Sequence, residues 1–251
     1  DTNQNFSLAD EVPLKIYRDN KFNYASFPKT ADLQQGFPFV LSDIWDGGNT
    51  VSFGYDSEGH GTHVAGIAAA NGMLQGTAPN AQLIAMKVAD SAGIAYLDDT
   101  LKAVEYAVSK GADIINLSLG YYDLEDEEIQ EFRNRINELA AHTLICVAAG
   151  NDGPGLSTLA APADAPNTLS VGAYLEPDML STDYGWTTES SGLWYFSSTG
   201  PAVDGSLKPD LLAPGSAVST VPVWTGESTK LIEGSSMAAP FVTGAAALLM
   251  E

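Results

Sequence analysis

The middle of the chain alternates continuous apolar runs with an amphipathic segment, and this alternation limits the fold more than any other feature of the sequence. The apolar runs lie at residues 113–119, 143–149 and 168–173. Between the first two, residues 125–141 repeat apolar side chains at helical spacing: Ile129, Phe132, Ile136 and Leu139. Strands that are apolar throughout are buried on both faces, as in parallel sheets covered by helices. The pattern predicts an α/β fold with a doubly wound, mostly parallel sheet flanked by helices.

The flanking regions add further predicted elements to this centre. Helices are predicted at residues 60–71 (ended by Gly72), from Asp98 with Leu101, Val104 and Val108 on one face, and at 237–250. A buried strand is predicted at 82–88, and short strands at 193–196, 211–213 and 217–221. Residues 1–55 are rich in Asn, Asp, Pro and Gly, and we expect them to form an irregular insertion. No internal repeat or linker divides the 251 residues, so a single domain is predicted.

Charge and cysteine content exclude several classes of function. The 32 acidic and 11 basic residues give a net charge of −21, which opposes binding to nucleic acid phosphates or anionic membranes. No run of 18 apolar residues is present, so no membrane insertion is expected. Cys146 is the only cysteine, which excludes an internal disulfide and a cysteine zinc cluster. No nucleotide-binding glycine motif follows the first strand, which argues against a nucleotide-binding protein.

Reactive side chains are sought at strand ends and helix N-termini, because ligands of open parallel sheets bind there. His60 lies in the stretch GHGTHVAG at 59–66, where a helix begins. Histidine is the usual general base for activating a nucleophile, since its pKa lies near neutrality. The alternatives are two structural histidines or a zinc pair with His63. A helical zinc pair uses i, i+4 spacing around a glutamate, whereas His60 and His63 are three residues apart.

Two further stretches carry residues suited to nucleophilic catalysis. Ser236 in GSSMAAP, 234–240, opens an apolar helix, whose N-terminal N–H groups would stabilise an oxyanion. A simple helix cap is the alternative for this serine. Asn151 in AAGNDG, 148–153, follows a predicted strand, and its amide is suited to donate to a developing oxyanion. A turn asparagine is the alternative there.

Taken together, the order His, Asn, Ser resembles the subtilisin-like serine peptidases. The stretches that carry the resemblance cover roughly residues 56–251: HGTHVAG at 60–66, NLSLG at 116–120, AAGNDG at 148–153, FSSTGP at 196–201, KPDLLAPG at 208–215 and GSSMAAP at 234–240. DGSLKPDLLAPG, STVPVWT and EGSSMAAP are most similar to the tripeptidyl-peptidase II branch and its bacterial relatives. The resemblance implies a three-layer subtilisin-like fold and hydrolysis of peptide or protein substrates.

The resemblance assigns roles to individual residues. It implies that His60 is the general base, Ser236 the nucleophile and Asn151 the oxyanion donor together with the Ser236 amide. His63 matches a structural position. The strand edge that pairs with the substrate backbone matches Ser118, Leu119 and Gly120. One wall of the pocket for the residue before the scissile bond matches Ala148, Ala149 and Gly150. Ser235 replaces the usual threonine and keeps a hydroxyl.

The family's aspartate is the main departure from the pattern. An Asp-Ser/Thr-Gly motif is expected after an apolar strand upstream of the histidine, and residues 1–59 contain none. Asp1 precedes a threonine but follows no strand, and Asp43 and Asp46 lie too close to His60. We expect the aspartate and the first strand of the sheet to precede residue 1, with Asp1 as the alternative. Loss of this group costs on the order of 10⁴ in turnover. The alternative to an active serine peptidase is therefore a catalytically incomplete subtilisin-like domain, either a fragment or a pseudo-peptidase.

The sequence also leads to expectations about cofactors and cellular location. No cofactor is required by the predicted chemistry, and no metal-binding residue is assigned. Calcium is a further expectation, because oxygen-bearing residues alternate near the start of the chain as in a calcium loop: Asp1, Asn3, Asn5, Ser7, Asp10 and Glu11. Phe6 replaces the glycine of such a loop, so a polar loop is the alternative. Charge and family predict a secreted or cell-surface protein, with a cytoplasmic location as the alternative.

Overall fold

The computed structural model describes residues 5–7, 9–17, 19–20, 23–27, 36–123 and 125–251. Its helices are α1 (His60–Ala69), α2 (Leu97–Ser109), α3 (Glu127–Ala140), α4 (Pro177–Tyr184) and α5 (Ser235–Met250). Its first strands are β1 (Tyr24–Phe27), β2 (Phe37–Trp45), β3 (Thr50–Gly54), β4 (Ile114–Leu117) and β5 (Leu144–Ala148). The later strands are β6 (Leu169–Leu175), β7 (Gly192–Leu193), β8 (Leu211–Pro214), β9 (Ser216–Thr220) and β10 (Thr229–Glu233). Among these residues no helix is long and apolar enough to cross a membrane.

The central sheet is built from the apolar runs of the sequence. Its order is β4-β5-β6-β7, with β8 also paired to β6. The pairs β4–β5, β5–β6 and β6–β8 are parallel, and only the short β7 is antiparallel. On its other edge β4 pairs with no described strand. The carboxyl ends of β4 and β5 therefore meet at one edge of the sheet, where a ligand crevice is expected.

Helices cover both faces of this sheet, as the sequence predicted. Ile145 and Val147 of β5 pack with Phe132 and Ile136 of α3 in one apolar cluster. Ala148 belongs to a second cluster, which contains Ala238 of α5. Successive residues of a strand point to opposite faces, so β5 carries a core on each side. The doubly wound α/β prediction is confirmed, and α5 lies under the sheet with its N-terminus at the crevice edge.

The predicted strand at 82–88 is wrong. This stretch pairs with no described strand, and its apolar side chains are exposed, by 57% for Leu83 and 43% for Ile84. An apolar run becomes a strand only where a neighbouring backbone completes its hydrogen bonds. The sequence pattern reports hydrophobicity but not the presence of that neighbour.

The irregular conformation predicted for residues 1–55 is also wrong for its second half. The strands β1, β2 and β3 form an antiparallel sheet in which Phe27 pairs with Phe37 and Leu41 with Phe53. The pairing register shifts between Leu41 and Asp43, which interrupts the alternation that would have marked a long strand. The aromatic residues of this sheet reach the active-site region, because Phe37 contacts Trp224 at 6.5 Å between ring centroids.

Candidate active site

Ser236 lies in the first turn of α5, at the edge where β4 and β5 end. Gly234 precedes the helix with φ of 145°, a backbone conformation that favours glycine. The Ser236 amide is one of the N–H groups that a helix N-terminus leaves without an intrahelical acceptor. The Ser236 Oγ donates to the Ser118 carbonyl at 3.3 Å, and no hydrogen bond joins it to His60 within the described residues. The side chain is partly buried and borders an open cavity.

Pro240 lies in the second turn of α5, which begins at Ser235. A proline there removes the N–H that would bond the carbonyl four residues earlier, which belongs to Ser236. The Ser118 hydroxyl donates to that carbonyl at 2.7 Å. The Ser118 Oγ in turn accepts from Asn116 Nδ2 at 3.0 Å. The strand that the resemblance assigns to substrate pairing is thus bonded to the backbone of the predicted nucleophile.

His60 is the first residue of α1, held there by the loop before it. The Asp56 carboxylate accepts from the Gly59 amide at 2.8 Å, from the Thr62 amide at 3.0 Å and from the Thr62 hydroxyl at 2.6 Å. The His60 amide donates to Glu58 Oε2 at 2.9 Å. The Trp224 indole, whose ring lies beside Phe37 of the small sheet, donates to the Asp56 carbonyl at 2.7 Å and so supports this loop.

The two histidines of the motif occupy different environments. His63 is fully buried, and its Nε2 lies 2.9 Å from the Lys230 carbonyl. The ring of His60 is only partly buried, and no described residue hydrogen-bonds either of its nitrogens. The described residues contain no group of three or more His, Cys, Asp or Glu side chains placed to hold a metal. The geometry therefore gives no support to the zinc alternative.

Burial and two neighbouring carboxylates determine the pKa of His60. Desolvation by burial lowers the pKa of His60, while the carboxylates of Glu58 and Asp56 oppose part of that shift. Burial raises the pKa of Asp56, but hydrogen bonds from Thr62, Gly59 and Glu58 outweigh it, and the net pKa is lowered. Asp56 is therefore a carboxylate at neutral pH, and His60 is a neutral base.

Asn151 is oriented by Ser235. The Asn151 Oδ1 accepts from the Ser235 amide at 2.8 Å and from the Ser235 hydroxyl at 3.0 Å. The Ser235 Oγ also accepts from the Gly150 amide at 3.1 Å. Because Oδ1 is engaged twice, Nδ2 is the group that remains to donate towards a ligand. Ser235 stands where the family usually has threonine, and its hydroxyl and amide thus orient the predicted oxyanion donor.

The cavity beside Ser236 has a volume of about 180 Å³. It is bordered by Leu119, Gly120, Ala148, Gly150, Asn151 and Ser236, all predicted from the sequence. Ser118 does not border the cavity and is connected to it through its two hydrogen bonds to Ser236. The pairing of β4 ends at Leu117 with Val147, so the segment 118–120 runs on beyond the last paired residue of that strand.

One predicted wall residue is misplaced, and other residues were missed. Ala149 is fully buried and packs against Leu159 and Ala202 instead of lining the cavity. Alternation along the extended chain turns it away from Ala148 and Gly150. Sequence reasoning missed Tyr122 and Ala160 as cavity walls and Asp56 as the support of His60. A carboxylate four residues before a helix-opening histidine is the one local signal that was available, for Asp56.

Two residues of the predicted calcium loop, Asp1 and Asn3, lie outside the described residues. Asp1 is also the alternative for the orienting aspartate. Of the rest of the loop, the Asn5 Oδ1 accepts from the Ser7 amide at 2.8 Å and the Ser7 Oγ from the Ala9 amide at 3.1 Å. The Asn5 Nδ2 donates to Asp10 at 2.9 Å. These oxygens make local turns, and calcium binding stays a prediction.

Known proteins share this arrangement of sequence and fold. The family model described as the subtilase family matches residues 29–251. Pyrolysin of Pyrococcus furiosus is 30% identical, over 100% of this chain and 21% of pyrolysin. Tripeptidyl-peptidase 2 of Oryza sativa subsp. japonica is 36% identical, over 97% of this chain and 18% of that protein. The solved structure of sphericase superposes with a TM-score of 0.61 at 30% identity, over 80% of this chain and 65% of sphericase. The chain spans about a fifth of the length of the first two relatives.

Proposed function

Since the chain belongs to the subtilase family, we propose that it is the catalytic domain of a serine peptidase that hydrolyses peptide bonds through an acyl-enzyme on Ser236. One observation carries this proposal: a single cavity is bordered by Ser236, by Asn151 and by the segment 119–120 beyond β4. A nucleophile, an oxyanion donor and a free strand edge are the three parts that acyl transfer from an extended peptide needs.

The proposed reaction has two halves. The Ser236 Oγ attacks the scissile carbonyl carbon while His60 takes the hydroxyl proton, and the carbonyl oxygen becomes an oxyanion. The Asn151 Nδ2 and the Ser236 amide donate to this oxyanion, since no described residue accepts a hydrogen bond from either group. His60 then gives its proton to the leaving amine, and the C–N bond breaks. Water hydrolyses the resulting ester through the same groups and releases Ser236.

The substrate chain is proposed to lie extended along Ser118, Leu119 and Gly120. Main-chain hydrogen bonds to this segment would add a strand at the end of β4, and the side chain before the scissile bond would enter the cavity. Support comes from the end of the β4–β5 pairing at Leu117. The turn of the nucleophile is also tied to this segment, because Ser118 and Ser236 exchange two hydrogen bonds.

The carboxylate that orients His60 is proposed to come from a segment before residue 1 that adds to the open edge of β4. Asp56 and Glu58 influence the charge of His60, but their oxygens bind backbone N–H groups of the same loop. No described strand pairs with the other edge of β4, and the apolar stretch near Leu83 is exposed; both observations support a further strand. We expect Asp1→Asn to react with a fluorophosphonate at the unmodified rate. A loss of reaction in D1N would assign the role to Asp1 instead.

Fluorophosphonate labelling tests the proposed function. Intact mass and peptide mapping should find one adduct on Ser236, with no adduct in Ser236→Ala. His60→Ala should slow the labelling by about 10–100-fold, because the general base is lost. The effect is smaller than in a complete triad, since the orienting carboxylate is proposed to come from before residue 1. Labelling that is equal in H60A, or that maps to another serine, would contradict the proposal. The absence of labelling in a protein that unfolds cooperatively would also contradict it for this chain.

Peptides with free and acetylated N-termini distinguish two kinds of peptidase. An endopeptidase cleaves both, whereas release of tripeptides from free N-termini requires the amine. The similarity to tripeptidyl-peptidase 2 motivates this comparison. Equal cleavage of both forms would assign endopeptidase action to the domain.

A further inference from the structure

We propose that Trp224 is a positioning residue for His60, because it connects the loop before this histidine to the hairpin that leads to Ser236. Trp224 lies in a single 3₁₀ turn, Val223–Thr225, between the paired strands β9 and β10. β10 ends at Glu233, three residues before Ser236. One hairpin therefore contacts the loop of the proposed base and continues into the proposed nucleophile. The inference rests on the proposed function and concerns a residue that does not border the cavity.

Hydrogen bonds attach this hairpin to the first turns of α1. The Thr220 hydroxyl donates to the Thr62 carbonyl at 2.9 Å. The Ser219 hydroxyl donates to the His63 carbonyl at 2.9 Å, and the His63 ring is bonded to the backbone of β10. A methyl group on Gly66 would collide with both of these hydroxyls, so glycine lets the hairpin approach α1 closely. The hairpin and the start of α1 are therefore joined on one side of His60.

Trp224 adds the bond that holds the loop before His60. Its indole N–H donates to the Asp56 carbonyl at 2.7 Å, while the Asp56 carboxylate caps α1 through Gly59 and Thr62. Asp56 is thus bonded at its backbone by the hairpin and at its side chain by the helix. Removal of the indole donor leaves the loop with the helix cap but without its bond to the hairpin.

The ring of Trp224 has separate support from the small sheet. The Phe37 ring lies 6.5 Å from it and 4.8 Å from the ring of Tyr55, which directly precedes Asp56. Trp224→Phe keeps an aromatic ring in this cluster and removes the N–H donor. This variant therefore tests the hydrogen bond while an aromatic contact is retained.

His60 depends on the loop because its own ring lacks a partner among the described residues. None of them hydrogen-bonds either ring nitrogen, so the backbone at the start of α1 sets where the ring lies. A misplacement of about 1 Å in a catalytic group costs up to about 10² in rate. A bond that fixes the loop is therefore expected to act on the reaction through His60.

A double-mutant cycle tests the inference. The rate of fluorophosphonate labelling is measured in the unmodified protein, W224F, H60A and the double variant. W224F should slow the labelling about three- to tenfold and should have no further effect in H60A, because a positioning residue acts only through the base. Trp186→Phe is the matched control and should leave the rate unchanged, since Trp186 is 60% exposed and lies outside the hairpin. An equal loss from W224F in both backgrounds would indicate a merely structural role and overturn the inference.

A titration of the His60 ring by NMR gives a second readout that needs no reaction. Burial lowers the pKa of His60, and the carboxylates of Glu58 and Asp56 oppose part of that shift. A loosened loop weakens these effects together, so W224F should raise the pKa of His60 towards its ordinary value of about 6.5. The H60A spectrum identifies the His60 signals, and W186F should leave their titration unchanged. An unchanged pKa in W224F would also overturn the inference.

The outcomes separate the inference from the proposed function. If W224F raises the pKa of His60 but fluorophosphonate never labels Ser236, the proposed function fails while the positioning role stands. If Ser236 is labelled and W224F changes neither the rate nor the pKa, only the inference fails. Thermal unfolding verifies that each variant is folded. If W224F does not fold, Thr220→Val removes another bond between the hairpin and α1 and should show the same dependence on His60.

Discussion

The hydroxyl of Ser118 donates a 2.7 Å hydrogen bond to the carbonyl of Ser236, which Pro240 leaves without a helical partner. The bond connects the segment beyond β4 to the first turn of α5. Asn116 extends the connection, because its Nδ2 donates to Ser118 and its Oδ1 accepts from Thr243 of α5. The proposed nucleophile is thereby positioned by side chains that lie 118 or more residues away in the sequence.

Ser118→Ala should lower stability and slow the labelling of Ser236. The substitution leaves the partly buried Ser236 carbonyl without its donor, which costs about 1–3 kcal/mol. Ser118→Thr keeps the hydroxyl and is the matched control. Urea unfolding and the fluorophosphonate rate measure the two effects. Equal rates in S118A and S118T would show that the bond does not position the nucleophile.

Ser235→Ala should weaken oxyanion stabilisation without removing the nucleophile. The Asn151 Oδ1 loses one of its two donors, and the Gly150 amide loses its acceptor. Removal of an oxyanion donor costs roughly 10²–10³ in rate, so partial misorientation is expected to cost about tenfold. Ser235→Thr retains the hydroxyl and should react as the unmodified protein does. Labelling of S235A at the full rate would contradict the orienting role.

Asp56→Ala should destabilise α1 by about 1–2 kcal/mol, the range for the loss of a helix-capping carboxylate. The pKa of Asp56 is lowered in the folded state. Its stabilisation is therefore complete above the unfolded-state pKa of about 4 and disappears as pH falls through the folded-state value. Urea unfolding of D56A and the unmodified protein should differ at pH 7 and converge at lower pH. A pH-independent difference would contradict the ionic origin of the effect.

Glu58→Gln should shift the acidic limb of the labelling rate to lower pH. The Glu58 carboxylate raises the pKa of His60 against the lowering effect of burial, and glutamine removes that charge. With a lower pKa, His60 stays neutral and able to accept a proton further into the acidic range. Glu189→Gln removes an exposed carboxylate elsewhere and serves as the control. A limb that moves to higher pH, or the same shift in E189Q, would contradict this account.

Lys208→Met should destabilise the sheet by about 3 kcal/mol, the cost of breaking a buried ion pair. The Lys208 side chain is 3% exposed, and its Nζ donates to the Thr168 carbonyl and to Asp210, both at 2.7 Å. These bonds join the starts of β6 and β8. Lys102→Met is the matched control, because Lys102 is 71% exposed and its pair with Asp99 spans 3.6 Å. Thermal unfolding should be unchanged in K102M, and equal losses in the two variants would contradict the prediction.

The periodic segments of the sequence predicted their own structures well. The helix predicted at 125–141 is α3 at Glu127–Ala140, and the run 143–149 contains β5 at Leu144–Ala148. In both segments the apolar side chains mark the faces that are buried. The segments that cover those faces show periodic patterns of their own. The stretch 82–88 has the same hydrophobicity, but no partner strand is described beside it. A local pattern predicts which secondary structures a segment can form, whereas pairing with a neighbouring strand decides whether it forms a strand.

The sequence predicts those site residues that lie in a recognisable local motif. Ser236 and Asn151 stand at a helix start and a strand end, and the cavity joins them. Tyr122 carries no local signal, because its place at the cavity depends on the pairing of Tyr121 with Ala161, which lie 40 residues apart in the sequence. The resemblance assigns Ser118 to substrate pairing. Its hydrogen bond to the Ser236 carbonyl is visible only in the structure, where Pro240 removes the helical donor of that carbonyl.

The packing of α5 has a consequence for laboratory evolution of this protein. The helix is filled with small residues, and a methyl group on Gly244 would come within 2.5 Å of the Thr77 side chain. Ala238 and Ala239 are fully buried against the sheet. Libraries that randomise this helix would mostly yield misfolded variants, because the helix that fills the interior also carries the proposed nucleophile. Diversity is better introduced around Tyr122, where the chain is exposed and new specificities are compatible with folding.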